Sequence, residues 1–326
     1  MHSSESCQFG IKALIPYDSN STDKKNRKVG PFDYQDVSSL YYRHWLGTDA
    51  LGRDVLAGLI EGSYIAFIVG ILSSLFALII GVFFAYWSGF VGDTRFKLLP
   101  SLMALFALVL LAAIFYAWYS TGWMRIVWLI IPIICLAAFR QYSKRQSNEK
   151  NQISLPFDIL IIRLIEIFRS IPNLFLVLIL LTLFNSSGYW NVIFIIALIR
   201  WPVITRHLRA EILNIKEENY IHSARSIGLS DPKIFKKYIL PLTVSPIIIA
   251  TAFGFSSAIL LESTLSFLGI GVPLDQVSWG SILREARHDI GSWWLAIFPG
   301  ILIYLMIYLF NDLGDKINQQ LLNSVE

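Results

Sequence analysis

Apolar and polar positions fall into long blocks along this chain, without the short periods of a soluble fold. Residues 63–87, 98–118, 126–139, 159–184, 191–204, 242–261 and 293–310 are dominated by Leu, Ile, Phe and Val. Several of these blocks approach or exceed the roughly 18–20 residues that carry a helix across a bilayer. Each predicts a membrane helix, seven in all. The short block 126–139 reaches span length with Trp123 and Trp128 at the interface, and 191–204 does so with Tyr189 and Trp190 at its start. The block 159–184 is interrupted by Arg163, Glu166, Arg169 and Pro172. Its three charges lie three residues apart, which predicts an ion network on one helix face. The fold class expected is an all-α polytopic membrane protein.

Among the polar blocks, charge alternates. Lys and Arg concentrate at 95–97, 140–150 and 206–237, while 119–124 and 185–190 carry few or none. Positive loops mark the cytoplasmic side. This places the 206–241 segment and the C-terminus inside, and residues 1–62 and 266–292 outside. Residues 1–43 read as a solvated tail whose cluster Lys24, Lys25, Arg27 and Lys28 conflicts with an outside location, although charges far from a span bear weakly on topology.

The 206–241 segment has an internal plan. Residues 216–227 predict a short helix. Gly228 stands where a helix stops, since glycine enters the left-handed conformation without a side-chain penalty. Ser230-Asp231-Pro232 predicts a restart, with Ser or Asp as cap and proline in the first turn. Phe235 and Ile239, four apart, predict one face of that second helix, and Pro241 marks the turn into the next span. Two short helices joined by a glycine form a knob able to pass a push to neighbouring helices. An ordinary amphipathic loop is the plainer alternative on pattern alone.

Composition agrees with the blocks: of 326 residues, 55% are hydrophobic and 15% charged, and the mean hydropathy is +0.57. Both exclude an ordinary soluble domain. The net charge of +4 is small and sits beside the spans, so nucleic acid is not expected as a partner. Cys7 and Cys135 are the only cysteines, far apart, and predict neither a disulfide framework nor a metal site. Residues 1–43 lack the basic region and apolar core of a cleavable signal. His207 and His222 are fifteen residues apart and suggest no metal pair. There is no G-x-x-x-x-G-K-[ST] loop, so ATP is not expected to bind in that way. No nucleophile–base pairing stands out, and the chain is expected to be neither an enzyme nor a holder of a cofactor.

Five segments carry a resemblance. Tyr220-Ile221-His222-Ser223-Ala224-Arg225-Ser226-Ile227-Gly228, continuing to Ile239-Leu240-Pro241, resembles the E-A-A-x-x-x-G loop of ABC-importer permeases. His222 and Ser223 replace the usual Glu and Ala, and Tyr238 the usual His; Ala224, Gly228 and Pro241 match. Gly47-Thr48-Asp49 through Gly52-Arg53-Asp54 resembles the G-T-D-x-x-G-R-D segment of the dipeptide, oligopeptide and nickel branch. On pattern alone it would read equally well as a surface loop of two glycine turns. Residues 262–271, ESTLSFLGIG, with Ser278-Trp279-Gly280 after them, resemble the L-S-F-L-G-L-G…W-G segment of that branch. Asp158, Arg163, Glu166 and Pro172 resemble its entry to a core helix, and Trp201, Arg206, Arg209 and Glu211 its approach to the loop.

The resemblance covers roughly 44–97 and 157–320. It implies a type I importer transmembrane domain over 63–320, close to the second, or "C", permease of such systems, with an extracytoplasmic segment at 1–62. The segment 98–157 stands as an inserted helical hairpin with a basic tail. The branch has a membrane helix before its G-T-D segment and this chain has none, while residues 10–18 resemble the stretch just after that helix. Either the natural chain begins further upstream, or the hairpin compensates. The resemblance further implies a multi-pass protein of the bacterial inner membrane, importing di- or oligopeptides, with nickel or another small solute as the alternative. Its implied partners are two ABC ATPase subunits or one fused pair, a homologous second permease, an extracytoplasmic substrate-binding protein and the bilayer. The 206–241 loop would couple to the ATPase through Glu211, Tyr220, His222, Ala224, Gly228, Asp231, Tyr238 and Pro241. Asp49, Arg53, Asp54, Glu262, Ser266 and Trp279 are candidates for the pathway or the face toward the binding protein. For Glu262 a carboxylate capping a helix end at the interface is the structural alternative, and for Trp279 and Trp293 an interfacial anchor. An ion-coupled secondary transporter would need mid-span carboxylates and an inverted repeat; neither is evident in the sequence.

Overall fold

A computed structural model of the chain describes residues 15–92, 156–184, 188–273, 276–289 and 291–323, with isolated positions between 97 and 154. The inserted segment 98–157 and its two expected spans lie almost wholly outside the described residues, as do Cys7 and residues 10–14. The helices are α1 (Val55–Ala85), α2 (Phe157–Ser170), α3 (Asn173–Phe184), α4 (Tyr189–Lys216), α5 (Asn219–Ser226), α6 (Asp231–Ile234), α7 (Val244–Phe267), α8 (Trp279–Ala286) and α9 (Trp294–Asn323). Two wide π-helical turns, Tyr86–Val91 and Phe235–Ile239, continue directly from α1 and α6. A two-residue antiparallel ladder pairs Lys97–Leu98 with Ile153–Ser154.

Among the described residues, four helices are long and apolar enough to cross a membrane, in segments Val55–Val91, Tyr189–Lys216, Val244–Phe267 and Trp294–Gln320. The block 159–184 is not one straight helix. It breaks at Ile171-Pro172 into α2 and α3, because a residue before proline is pushed out of the helical region, and it makes a fifth span only if the broken pair is counted as one. The first span begins at Val55, eight residues before the apolar block at 63. Asp54 explains the early start: its Oδ1 accepts from Ala57 N at 2.7 Å, the geometry of a helix N-cap.

The chain divides into two compact units. The first holds Met1–Gly81, Ile171–Thr205 and Leu240–Glu326. Its core is Val55, Leu59 and Ala66 of α1, Phe255 and Ile259 of α7, Trp279 and Ile282 of α8, and Trp294, Leu295 and Ile303 of α9, with Val277. Phe255 stacks on Phe310 with centroids 3.7 Å apart. Ser256 Oγ donates to Asn311 Oδ1 at 2.8 Å, a polar tie between α7 and α9. Ile60, Ile71 and Ile79 of α1 and Ile301, Leu305 and Leu309 of α9 remain exposed, as lipid-facing positions do. Residues 15–43, expected to form a solvated tail, fold together with 44–54 as an irregular cap in which Ser19, Asn26 and Gln35 are buried along with His44, Thr48 and Asp54.

The second unit holds Val82–Ser170 and Arg206–Ile239. Here Tyr86 and Phe90 of the first wide turn meet Phe235 of the second, with centroids 4.7 and 5.6 Å away. Arg209 of α4 donates through Nε and a terminal nitrogen to both oxygens of Asp158 at the start of α2. Within α2, Arg163 pairs with Glu166 at 2.7 Å, the first link of the expected network, on an exposed face.

Candidate functional site

In the second unit the polar segment folds as two short helices around a glycine. The first runs over Asn219–Ser226, not 216–227: Lys216 ends α4, and Glu217 and Glu218 form the link, Glu218 standing as an extended N-cap. α5 buries Ile221 and Ala224 and leaves His222, Ser223 and Ser226 exposed. It stops in a Schellman motif. Gly228 N donates to Arg225 O at 2.9 Å, and Leu229 N to Ala224 O at 3.2 Å. Gly228 has φ +83°, and a Cβ built there meets nothing within 4 Å. The position therefore requires glycine for its backbone conformation, with no steric demand.

Ser230 is extended and precedes α6, but its hydroxyl makes no capping bond; Asp231 and Pro232 open the helix as expected. The expected Phe235–Ile239 face takes a different form. Ile234 and Ile239, five residues apart, are both fully buried. In an α-helix a step of five residues lies about 140° round the axis. The wide turn, with its i to i+5 bonds, returns the fifth residue beneath the first. Tyr238 is half-buried, with its ring 6.4 Å from that of Tyr220. Arg225 lies 5.9 Å over the Phe90 ring, and its Nε is 4.0 Å from Asp231. Glu211 lies half-buried on α4, apart from the two short helices. Ile227 (77% exposed) and Tyr220 (42% exposed), with Lys233, Lys236 and Lys237, form the outer surface of the knob. Pro241 belongs to the first unit, exposed in the short turn Leu240–Leu242 that leads to Thr243 and α7.

In the first unit the G-T-D-x-x-G-R-D segment is an internally bonded turn. Gly47 and Gly52 have φ of +82° and +86°. Asp49 Oδ1 accepts from Leu51 N and Arg53 N, both at 2.8 Å, and its Oδ2 accepts from Arg53 Nε. Thr48 Oγ1 donates to Asn26 O at 2.6 Å, and Trp294 Nε1 donates to Thr48 O at 3.1 Å. Asp54 holds His44 Nδ1 at 2.8 Å while capping α1, and His44 stacks on Tyr17. Asp49 and Asp54 are thus buried and spent on the turn, and Arg53 reaches across to Glu285 of α8.

Glu285 is the acidic residue here that the sequence did not mark. Burial, then the nearby Asp49 charge, push its carboxyl up to about 7, against the pull of Arg53. Among the described residues its buried Oε2 finds no hydrogen-bond partner. One guanidinium serves two carboxylates, so one of them tends to hold a proton near neutral pH.

Glu262 does not cap a helix end. It lies within α7, fully buried, accepting from Ser266 Oγ at 2.7 Å and Ser263 Oγ at 3.3 Å. Ser266 is buried beside it. Trp279 opens α8, buried, and its Nε1 donates to Leu59 O of α1 at 2.9 Å; it is a packing residue between helices, while Trp293 is 41% exposed. α8 starts with a capping box, Ser278 and Ser281 bonding each other's backbone N–H.

Comparison with known proteins gives a consistent result. The family model described as "Binding-protein-dependent transport system inner membrane component" matches residues 151–319. The chain is 28% identical to the glutathione transport system permease protein GsiD of Pectobacterium atrosepticum, over 96% of this chain and 81% of that one. It is 29% identical to GsiD of Escherichia coli O6:K15:H31, over 94% and 78%, and 27% identical to the dipeptide transport system permease protein DppC of Bacillus subtilis, over 85% and 68%. Two inward-facing structures of the MetNI methionine ABC transporter share the fold. Their TM-scores are 0.54 and 0.50, at 16% and 14% identity, covering 82% and 80% of this chain and 97% and 94% of theirs.

Proposed function

Because the chain belongs to the binding-protein-dependent transport system inner membrane component family, we propose that it is the peptide-conducting permease of an ATP-driven importer, coupled to its ATPase through residues 219–241. Permeases of this kind are membrane subunits, and ATP hydrolysis resides in separate subunits. The absence of a phosphate-binding loop in this sequence fits that division of labour. Peptides are favoured because the relatives described above are named for glutathione and dipeptide transport. A tripeptide and a dipeptide share a free amine, amide bonds and a carboxylate.

The observation that carries the coupling role is the Schellman corner at Gly228. It fixes α5 and α6 as one rigid body whose inner residues are buried and whose outer corner presents Ile227, Tyr220 and three lysines. A rigid knob passes displacement to the helices it continues into, where a flexible loop would absorb it. The full assembly contains two ATPase subunits or a fused pair, a homologous second permease and an extracytoplasmic binding protein. It lies in the bacterial inner membrane with the knob and the C-terminus in the cytoplasm. ATP closure and the loaded binding protein shift the access equilibrium because each binds the two states differently.

The test is purification of the tagged chain from its native membrane in mild detergent, then reconstitution of the proteins that co-purify. Recovery of an ATPase and a second permease, with ATP-dependent dipeptide uptake, is the expected result. A chain recovered alone and still active in uptake would replace this reading with an ion-driven carrier.

A further inference from the structure

Within the first unit a cavity of about 140 Å³ opens alongside residues 61–69 of α1, beside the first turn of α4. Its polar lining is Glu61, Tyr64, Tyr189 and Gln276, and Ile65 and Val69 are among its apolar lining. Among the described residues Glu61 is the one charged group in the lining, and it has no hydrogen bond or ion pair with any of them. Other carboxylates near this end of the unit are engaged: Asp49 and Glu285 with Arg53, Asp54 with His44 and the α1 cap, Asp289 with Lys28. Glu61 is exposed on α1, so its carboxylate is open to a ligand that reaches the cavity.

We propose that this cavity takes the free α-ammonium group of the transported peptide, with Glu61 as its counter-charge; the inference rests on the peptide reading above. The chemistry of the lining is that of a cation site. An ammonium has three donors and no acceptor. Glu61 offers carboxylate oxygens, Gln276 an amide oxygen, and the two phenols offer both oxygens and ring faces, which attract a cation. Ile65 and Val69 give an apolar wall to the first side chain, and the volume suits one small residue of a peptide. The frame is fixed in advance. Trp279 Nε1 donates to Leu59 O, two residues before Glu61, and Gly62 permits that approach, since a Cβ there would lie 2.6 Å from Trp279 Cδ1. The carboxylate therefore waits on a helix held in place by a neighbouring contact.

The experiment uses the complete transporter in proteoliposomes with saturating binding protein, and measures ATP-driven uptake of dialanine and N-acetyl-dialanine. Because the same binding protein serves every variant, its own preference cancels in the comparison of wild type with mutant. Glu61→Gln is expected to lower dialanine uptake about tenfold, the cost of one charge-assisted bond, and to leave N-acetyl-dialanine uptake unchanged. Glu61→Asp is expected to recover part of the loss. An equal fall for both peptides, or no change for either, overturns the ammonium site while leaving the peptide reading intact. Absence of uptake of both peptides by the wild type overturns the peptide reading itself, and with it this site.

Discussion

Gly228 shows how a single residue can be read from sequence for the right reason. Its left-handed φ of +83° is what the helix–glycine–helix pattern anticipates, and the empty space around its Cβ isolates backbone conformation as the cause. Gly228→Val is expected to strain the corner by roughly 1–2 kcal/mol, to leave insertion intact, and to uncouple substrate-stimulated ATP hydrolysis from uptake. Gly228→Asn, which tolerates this conformation, is expected to keep most activity; parallel uptake and ATPase assays would check both. Glu285 was invisible in the sequence because its neighbours come from residues 49 and 53, far away in the chain. Its carboxyl titrates at about 7 in the fold, above the ordinary 4.5. The folded state then binds more protons than the unfolded one between those values, so stability falls as pH rises through the window. Glu285→Gln is expected to flatten that slope and to be the more stable form at pH 8, on the order of 2 kcal/mol. Thermal unfolding at pH 5 and pH 8 would measure it. The three candidate residues of the G-T-D segment were legible as a motif. That Asp49 and Asp54 are consumed by their own turn was not, since burial depends on the cap folding over them.

At the scale of elements, apolar blocks located the helices, and local chemistry set their ends. Asp54 moved the start of α1 ahead of its block, and Pro172, one of the interruptions noted in the 159–184 block, split it in two where one span was expected. Both signals are single residues, which a block average overlooks. The order of residues 15–43 was missed for the converse reason: it comes from long-range bonds such as those of Thr48 with Asn26 and Val29, which leave no periodic trace. In the second unit, the two-pronged pair between Arg209 and Asp158 ties α4 to α2. Asp158→Asn is expected to cost about 1–2 kcal/mol, since the pair is only partly sheltered. Adding Arg209→Gln to it is expected to cost less than the sum of the two single losses. A double-mutant cycle on thermal unfolding in detergent would show this coupling.

At the scale of the whole molecule, the charge alternation of the loops predicts a topology that reporters can test. Fusions placed within 233–237 and at the C-terminus are expected to score as cytoplasmic, and one within 285–291 as external. A second consequence of the fold is genetic and comes from the wide turn at Phe235–Ile239. Ile234 and Ile239 are buried together because five residues, and no other number, separate them in that winding. A side chain can be exchanged for a similar one, but a spacing has no conservative substitute. Loss of one codon between 235 and 238 should therefore disable transport more completely than any single replacement there. Its suppressors should be insertions in the same stretch, restoring length with little regard to which residue restores it.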